Sequence, residues 1–216
     1  MNVALFGSTG GTGRATTRAL LAAGHRVTAL ARRPETLEAS TGLIAIGGDA
    51  LNKADVARVI AGTDAAIVTL GNSQNPFRMM MGAKRHTAAN ICEIGTRNVI
   101  EAMREAGVKR LIVITAFGVG DTRDLPSGMT KLFFRLLLKE HMADKEKQES
   151  LVKASGLDWT LVQPVALTDR PATGRWFASE DGRIRGSEVS RSDVALFIVS
   201  ELAGQGHLRQ TITISG

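Results

Sequence analysis

The run N-V-A-L-F-G-S-T-G-G-T-G-R-A-T-T-R-A-L-L-A-A-G, residues 2–24, decides the fold. Asn2 to Phe6 is short and apolar, as a buried strand should be, and Arg14 to Ala23 is helical in composition and closed by Gly24. Between them stands a glycine-rich turn. Strand, glycine turn and helix in that order open a dinucleotide-binding βαβ unit. Gly7 lets the chain turn sharply, Gly10 lets backbone approach a pyrophosphate, and Gly13 lets helix and strand pack closely. The free N–H groups at the helix start then face phosphate oxygens, with Thr9 and Thr12 in the same loop. A second strand is expected at Arg26 to Ala31.

An acidic residue at the end of that second strand would hold the ribose 2′-hydroxyl of NAD. Here the chain reads Leu30-Ala31-Arg32-Arg33-Pro34, with no carboxylate. Two guanidiniums suit a 2′-phosphate, which favours NADPH over NADH. The alternative is a solvated basic turn before a helix at Glu35. Arg14 is a third, weaker candidate for the same phosphate.

The glycine spacing G-x-x-G-x-x-G, from Gly7 to Gly10 to Gly13, resembles the extended and atypical short-chain dehydrogenase/reductases rather than the G-x-G-x-x-G dehydrogenases. Further along, Ser155-Gly156-Leu157-Asp158-Trp159-Thr160, leading through Leu161-Val162-Gln163-Pro164, resembles the sixth strand of the atypical members. The chain is similar over nearly its whole length to their NAD(P)H-binding branch, the flavin reductase/biliverdin reductase B type and the NmrA-like regulators. The resemblance implies an α/β, doubly wound Rossmann-type parallel sheet with helices on both faces and a small C-terminal substrate-side lobe. Residues 1–216 are expected to form one domain, with 165–190 as the substrate-side insertion.

Other strands and helices follow in order. Leu43 to Ile46 reads as the third strand, ending in Gly47-Gly48-Asp49-Ala50, and the next helix starts near Lys53. A carboxylate at this place accepts from an adenine amino group in the resembling family, which implies that role for Asp49, with Ala50 beside it. Capping the helix is the other reading of Asp49. Asp64 to Leu70 reads as a fourth strand buried on both faces, and Leu70 and Gly71 would run beside the cofactor ribose. Asn72 to His86 reads as a loop, with Met80 among three adjacent methionines as a substrate-side candidate, core packing or a partner contact being the alternatives. Thr87 to Ala106 reads as a long helix with a Gly107 stop. Its Thr96-Arg97-Asn98 resembles a family pattern and is read as structural.

Lys109 to Ala116 is the fifth strand, which delivers Thr115, Ala116 and Phe117 to the carboxyl edge where ligands of doubly wound folds bind. The resemblance implies that Thr115 stands beside the nicotinamide, where its hydroxyl meets a substrate carbonyl. Phe117 is either core or a wall of the substrate pocket. In the family a basic residue some eleven positions before the S-G-L run touches the nicotinamide ribose. Lys145 lies about ten before Ser155 and is the match, the alternative being one charge of a solvated helix over His141 to Glu149. His141 is a candidate proton donor or a surface histidine. Pro164 and Val165 close the cofactor set at the end of the sixth strand. Val165 to Glu188 reads as irregular, Arg191 to Leu202 as a helix capped by Ser190 or Ser192, and Gln210 to Ile214 as a last strand.

Composition narrows the function. The 216 residues contain no tyrosine, whereas most short-chain reductases protonate substrate with a tyrosine one helical turn before a lysine. Hence any proton donor must be another group or water. The family's flavin and biliverdin reductases carry a histidine just after the proline of the sixth strand; here Val165-Ala166-Leu167 follows, which puts biliverdin activity in doubt. A net charge of +6 is spread along the chain, and the densest patch, Lys84-Arg85-His86, has no interleaved aromatics, so no nucleic-acid partner is expected. No apolar run is long enough to span a bilayer. Met1 leads straight into a strand, so no signal peptide is expected, and the lone Cys92 fits a reducing cytoplasm. His25, His86, His141 and His207 lack ligand spacing, so no metal is expected. Three functions stay open: an NADPH-dependent reductase of a planar or conjugated small-molecule acceptor (flavin, quinone or enone), a non-catalytic dinucleotide sensor acting through a protein partner, and an epimerase- or dehydratase-like enzyme. Homo-oligomerisation is left open.

Overall fold

The computed structural model describes residues 1–71, 87–126, 128, 138–204 and 206–216. The element order is β1 (Asn2–Phe6), α1 (Gly11–Ala22), β2 (Arg26–Ala31), β3 (Leu43–Gly47), α2 (Lys53–Ile60), β4 (Ala65–Val68), α3 (Ile91–Ala106), β5 (Arg110–Ile114), α4 (Lys139–Lys153), β6 (Asp158–Pro164), β7 (Ala166–Thr168), β8 (Phe177–Ser179), β9 (Glu188–Ser190), α5 (Arg191–Gly204) and β10 (Gln210–Ser215). The run Asn72 to His86, with Met80, and the apolar stretch from Met129 to Leu137 lie outside the described residues.

Eight strands form one sheet in the order β3-β2-β1-β4-β5-β6-β10-β8. All neighbours pair in parallel except β8, which runs antiparallel to β10 at the edge. After β3 the chain crosses back past β1 to place β4 on its other side, so the switch point lies between β1 and β4. A doubly wound sheet opens its ligand crevice there, outside the carboxyl ends of the strands.

Both faces of the sheet are covered, which explains strands that are apolar throughout. The period of two divides each strand between two cores. Ala4 and Phe6 of β1, with Leu111 and Val113 of β5, pack with Val56, Val59, Met103 and Val152 from α2, α3 and α4. Val3 and Leu5, with Ile112 and Ile114, pack with Leu20 of α1 and Val194, Phe197 and Ile198 of α5. Phe6 is fully buried, and its truncation to Ala would cost about 3–5 kcal/mol.

Three expectations are corrected. The helix expected at Glu35 is a single 3-10 turn over Pro34–Thr36, because Thr36 N–H closes back on the Arg33 carbonyl and Leu37 is already extended. Asp49 does not cap α2; Asn52 does, its side chain accepting from Ala54 and Asp55 N–H, while Asp49 Oδ1 accepts from Leu51 N–H. The segment Val165 to Glu188 is not irregular throughout. It holds β7 and β8, and β7 pairs in parallel with β9 as a separate ribbon. Of the two caps considered for α5, Ser190 is the one used: its hydroxyl accepts from Asp193 N–H and donates to Asp193 Oδ2.

Candidate functional site

The switch point is a backbone-to-backbone contact. Thr69, just past β4, donates N–H and hydroxyl to the Phe6 carbonyl at 2.8 and 3.0 Å. Gly7 turns away from β1 with φ 89°, and a methyl group on it would meet Thr69 at 2.7 Å. Only glycine suits both the conformation and the space. Gly13 is pressed onto the Gly7 carbonyl from inside α1. Gly10 differs: an added methyl there would meet nothing nearer than the Gly7 oxygen at 3.5 Å. It faces the crevice.

Helix α1 begins at this glycine with no side-chain cap and no carboxylate in its first turn. Its first N–H groups, at Gly11, Thr12 and Gly13, therefore have no intrahelical acceptor and carry the positive end of the helix dipole. Anionic oxygens are the natural partners of such an end.

Two chambers open on either side of the loop. The first, about 310 Å³, is bounded by Gly7, Thr9 and Gly10, by Arg32 after β2, by Asp49 and Ala50 after β3, and by Leu70 and Gly71 after β4. The second, about 360 Å³, is bounded by Thr12 and Gly13, by Thr115 and Ala116 after β5, by Pro164 and Val165 after β6, and by His141 and Lys145 of α4. Gly10, Thr69, Leu70 and Gly71 line both, so the two are halves of one cleft bent around the helix start. Arg33 lines neither chamber and is exposed; successive residues leaving a strand point to opposite sides, and Arg32 takes the cleft side. Arg14 is also outside, its Nε donating to the Thr9 carbonyl at 3.1 Å.

The charged helix α4 is not solvated on this side, which overturns the alternative considered for Lys145. Asp144, Lys145, Gln148 and Glu149 are all buried. The Asp144 carboxylate accepts from Cys92 and Glu93 N–H at 2.9 Å each, capping α3 from a neighbouring helix. That anchor aims the next residue. Lys145 Nζ donates to the Ile114 carbonyl at 3.1 Å and the Leu70 carbonyl at 3.5 Å, leaving one of its three N–H donors for the cleft. His141 is partly buried, one turn before, and burial followed by the charge of Lys145 pulls its pKa down to about 4. The imidazole is neutral near pH 7. Hence it is neither a surface histidine nor a store of protons there; it offers a neutral N–H or a lone pair.

Thr115 is buried, with its N–H on the Val162 carbonyl at 2.8 Å. Its hydroxyl donates to Glu149 Oε1 at 2.6 Å. Phe117 lies beyond, its N–H on the Pro164 carbonyl at 3.0 Å. It shares with Val165 a third, larger cavity of about 600 Å³, walled by Leu125, Pro126 and Ile184. Val165 borders both this cavity and the second chamber. The Thr96-Arg97-Asn98 turn is structural: Thr96 accepts from Gln148 Nε2, and Asn98 Nδ2 holds the Ala50 carbonyl at the chamber wall.

An NAD(P)H-binding family model matches residues 7–205. The chain belongs to the NAD(P)H-binding family. It is 26% identical to an uncharacterized sugar epimerase, YhfK, of Bacillus subtilis over 82% of this chain and 76% of that one. Among solved structures it is similar to ChuY, an anaerobillin reductase of Escherichia coli O157:H7, at 26% identity and TM-score 0.80, covering 100% of this chain and 97% of that one. A wide-type short-chain dehydrogenase/reductase of Veillonella parvula in complex with NADP superimposes at TM-score 0.81 with 16% identity, covering 100% and 94%; at that identity it speaks to fold. The resemblance to the atypical short-chain reductases stands, and the cleft of this NAD(P)H-binding protein takes a nicotinamide dinucleotide.

The residues fit that group. A two-chambered cleft bent over an uncapped helix N-terminus matches two nucleosides joined by a pyrophosphate. Two site residues escaped sequence reasoning. Arg191, first residue of α5, borders the second chamber beside Gly11 and pairs with Asp169 at 2.8 Å; its Nε lies 2.8 Å from where a Gly11 methyl would be. Glu149 reaches Thr115 from a helix 34 residues downstream. No motif marks either, since each meets its partners only in the folded chain. Among the described residues no helix is long and apolar enough to cross a membrane.

Proposed function

We propose that this NAD(P)H-binding protein is an NADPH-dependent reductase of planar or conjugated acceptors such as flavins, quinones or enones. The observation that carries the reading is the junction at Val165, where the chamber holding Thr115 and Lys145 meets a largely apolar cavity, with Asp181, Arg183 and Ser187 also on its wall, roomy enough for a flat acceptor. When bound, the reduced nicotinamide supplies a hydride. The protein's share is to hold the partners in register and exclude water, and positioning of that kind can supply most of a rate enhancement.

The lining of the cleft supports the following assignments. Gly10 and the N–H groups of Gly11, Thr12 and Gly13 receive the pyrophosphate, with Arg191 alongside. Arg32 takes the 2′-phosphate, which favours NADPH, and Asp49 meets the adenine side. Lys145 gives its remaining N–H to the nicotinamide ribose. Thr115 and Ala116 face the ring, and Phe117 lies on the acceptor side. The relation to ChuY, named an anaerobillin reductase, supports a conjugated acceptor.

A non-catalytic sensor is the second reading, favoured by the absent tyrosine and by a Thr115 proton already committed to Glu149. An epimerase, as the Bacillus relative is named, is supported less, for want of that tyrosine. Oxidation of NADPH against a panel of flavins, quinones and enones decides between them, with cofactor binding followed in parallel. Turnover with an acceptor supports the reductase. Tight binding with no turnover across the panel would replace it with the sensor.

A further inference from the structure

Among the described residues, Glu149 is the one buried carboxylate that touches a cleft residue's hydroxyl, and nothing in the cofactor-binding scheme uses it. It sits on α4, facing β5, β6 and the turn after β5. Its Oε1 accepts from Thr115 Oγ1 at 2.6 Å and from Gln163 Nε2 at 2.8 Å. Gln163 is itself fixed, donating to the Val119 carbonyl at 2.9 Å and accepting from the Thr122 hydroxyl at 2.9 Å. The second oxygen, Oε2, is buried with no hydrogen-bond partner and lies against Gly120, whose φ of 53° brings backbone over it.

A buried carboxylate oxygen without a partner is costly as an anion and much less so in an acid. The charged groups around it do not reverse this. Lys153, one turn on, is engaged with Asp121 at 2.6 Å, and the two oppose one another in their effect on Glu149. Burial pushes the Glu149 carboxyl above the usual range, against the bonds from Gln163 and Thr115, which act to lower it.

The two protonation states orient Thr115 differently. With Glu149 ionised, Thr115 must give its only proton to Oε1 and can only accept from the cleft. With the proton on Oε1, Glu149 donates to Thr115 Oγ1 while still accepting from Gln163, and the Thr115 O–H is released toward the cleft.

We infer that Glu149 is the proton-supplying residue of this site, acting through Thr115 in place of the missing tyrosine. The inference rests on the reductase reading. An acceptor that has gained a hydride at carbon carries the displaced electron pair on its oxygen or nitrogen. Thr115 Oγ1 passes its proton to that atom, Glu149 Oε1–H passes a proton to Thr115, and the carboxylate regains one from water between turnovers. The acceptor thus gains one hydride and one proton, and the protein is unchanged. Glu149 touches no substrate; Thr115 does.

Two measurements on the full chain test this, with Glu149→Gln as the isosteric variant. With its amide oxygen in the place of Oε1 the carboxamide keeps both bonds, accepting from Thr115 and from Gln163, but it cannot release a proton. First, the carboxyl carbons of glutamate are titrated by ¹³C NMR in protein labelled at that carbon. One resonance, missing from the variant, should titrate above the ordinary glutamate range; a Glu149 resonance titrating within that range overturns the inference. Second, turnover of an enone or quinone is followed against pH at saturating NADPH. Wild-type kcat should fall about tenfold per pH unit above the Glu149 transition. In Glu149→Gln that limb should be absent and kcat lower, with NADPH affinity within about twofold of wild type. Wild-type turnover with the same pH limb in the variant overturns the relay alone. No wild-type turnover with any acceptor overturns the reductase reading, and the relay with it.

Discussion

Gly7 and Thr69 meet across the switch point of the sheet, the glycine at φ 89° and the threonine 2.7 Å from where a methyl group on it would lie. Two loops that follow non-adjacent positions in the chain, after β1 and after β4, are thereby held at backbone contact, and the cleft opens where they touch.

Substitution separates this architectural glycine from the binding one. Gly7→Ala adds about 1–2 kcal/mol of left-handed strain to the clash with Thr69, and melting should fall by several degrees at least. Gly10→Ala, with 3.5 Å of clearance to its nearest neighbour, should melt as wild type does and bind NADPH more weakly. Thermal melts and NADPH titrations of both variants check this. Equal melting losses would show that Gly10 does not face the cleft.

Arg32 and Arg33 are adjacent but not equivalent. Arg32→Ala should weaken NADPH by about tenfold to a hundredfold, the worth of a charge-assisted contact, and leave NADH nearly unchanged. Arg33→Ala should do much less, because its side chain lines neither chamber. Binding of both cofactors to both variants measures this. Equal losses for NADH and NADPH in Arg32→Ala would remove the 2′-phosphate assignment.

Arg191 should behave differently from Arg32. Placed at the glycine loop beside Gly11, it serves a group that both cofactors share. Arg191→Ala should therefore weaken NADPH and NADH by similar factors, and ADP-ribose likewise. A loss confined to NADPH would move Arg191 to the 2′-phosphate.

His141 gives a pH signature. Its pKa near 4 in the folded protein lies below the ordinary value of 6.5. Between those values the unfolded chain binds more protons, so stability contributed by the neutral imidazole is full above about pH 6.5 and is lost as pH falls toward 4. The difference in melting temperature between wild type and His141→Asn should change across that window and level off above it. Parallel curves would place His141 in solvent.

Much of this was legible in the chain because the informative signals are local. The strand, glycine turn and helix of residues 2–24 carry their own punctuation and β5 is an apolar run, whereas β6, D-W-T-L-V-Q-P, is placed by its resemblance to a family motif. What could not be read has a common cause in partners distant in sequence. Asp144, Lys145, Gln148 and Glu149 are charged or polar and leave a solvated helix open as one reading, yet each is buried against a group on another element: the start of α3, the last carbonyl of β5, the Thr96 hydroxyl and the Thr115 hydroxyl. Asn52, standing immediately before α2, takes the cap that is the alternative reading of Asp49. The strands β7, β8 and β9 are three residues each, too short to show alternation. Pro34 announced a helix but began a single turn.

The proposed reaction in this cleft is transfer of a hydride from NADPH to a conjugated acceptor. The most direct test is to supply NADPH carrying deuterium at nicotinamide C4, prepared in each stereochemical form, with an enone acceptor, and to examine the product by mass spectrometry. Deuterium is expected at the reduced carbon from one form and none from the other. Cofactor that binds tightly without being consumed, or product that gains no deuterium from either form, would contradict it.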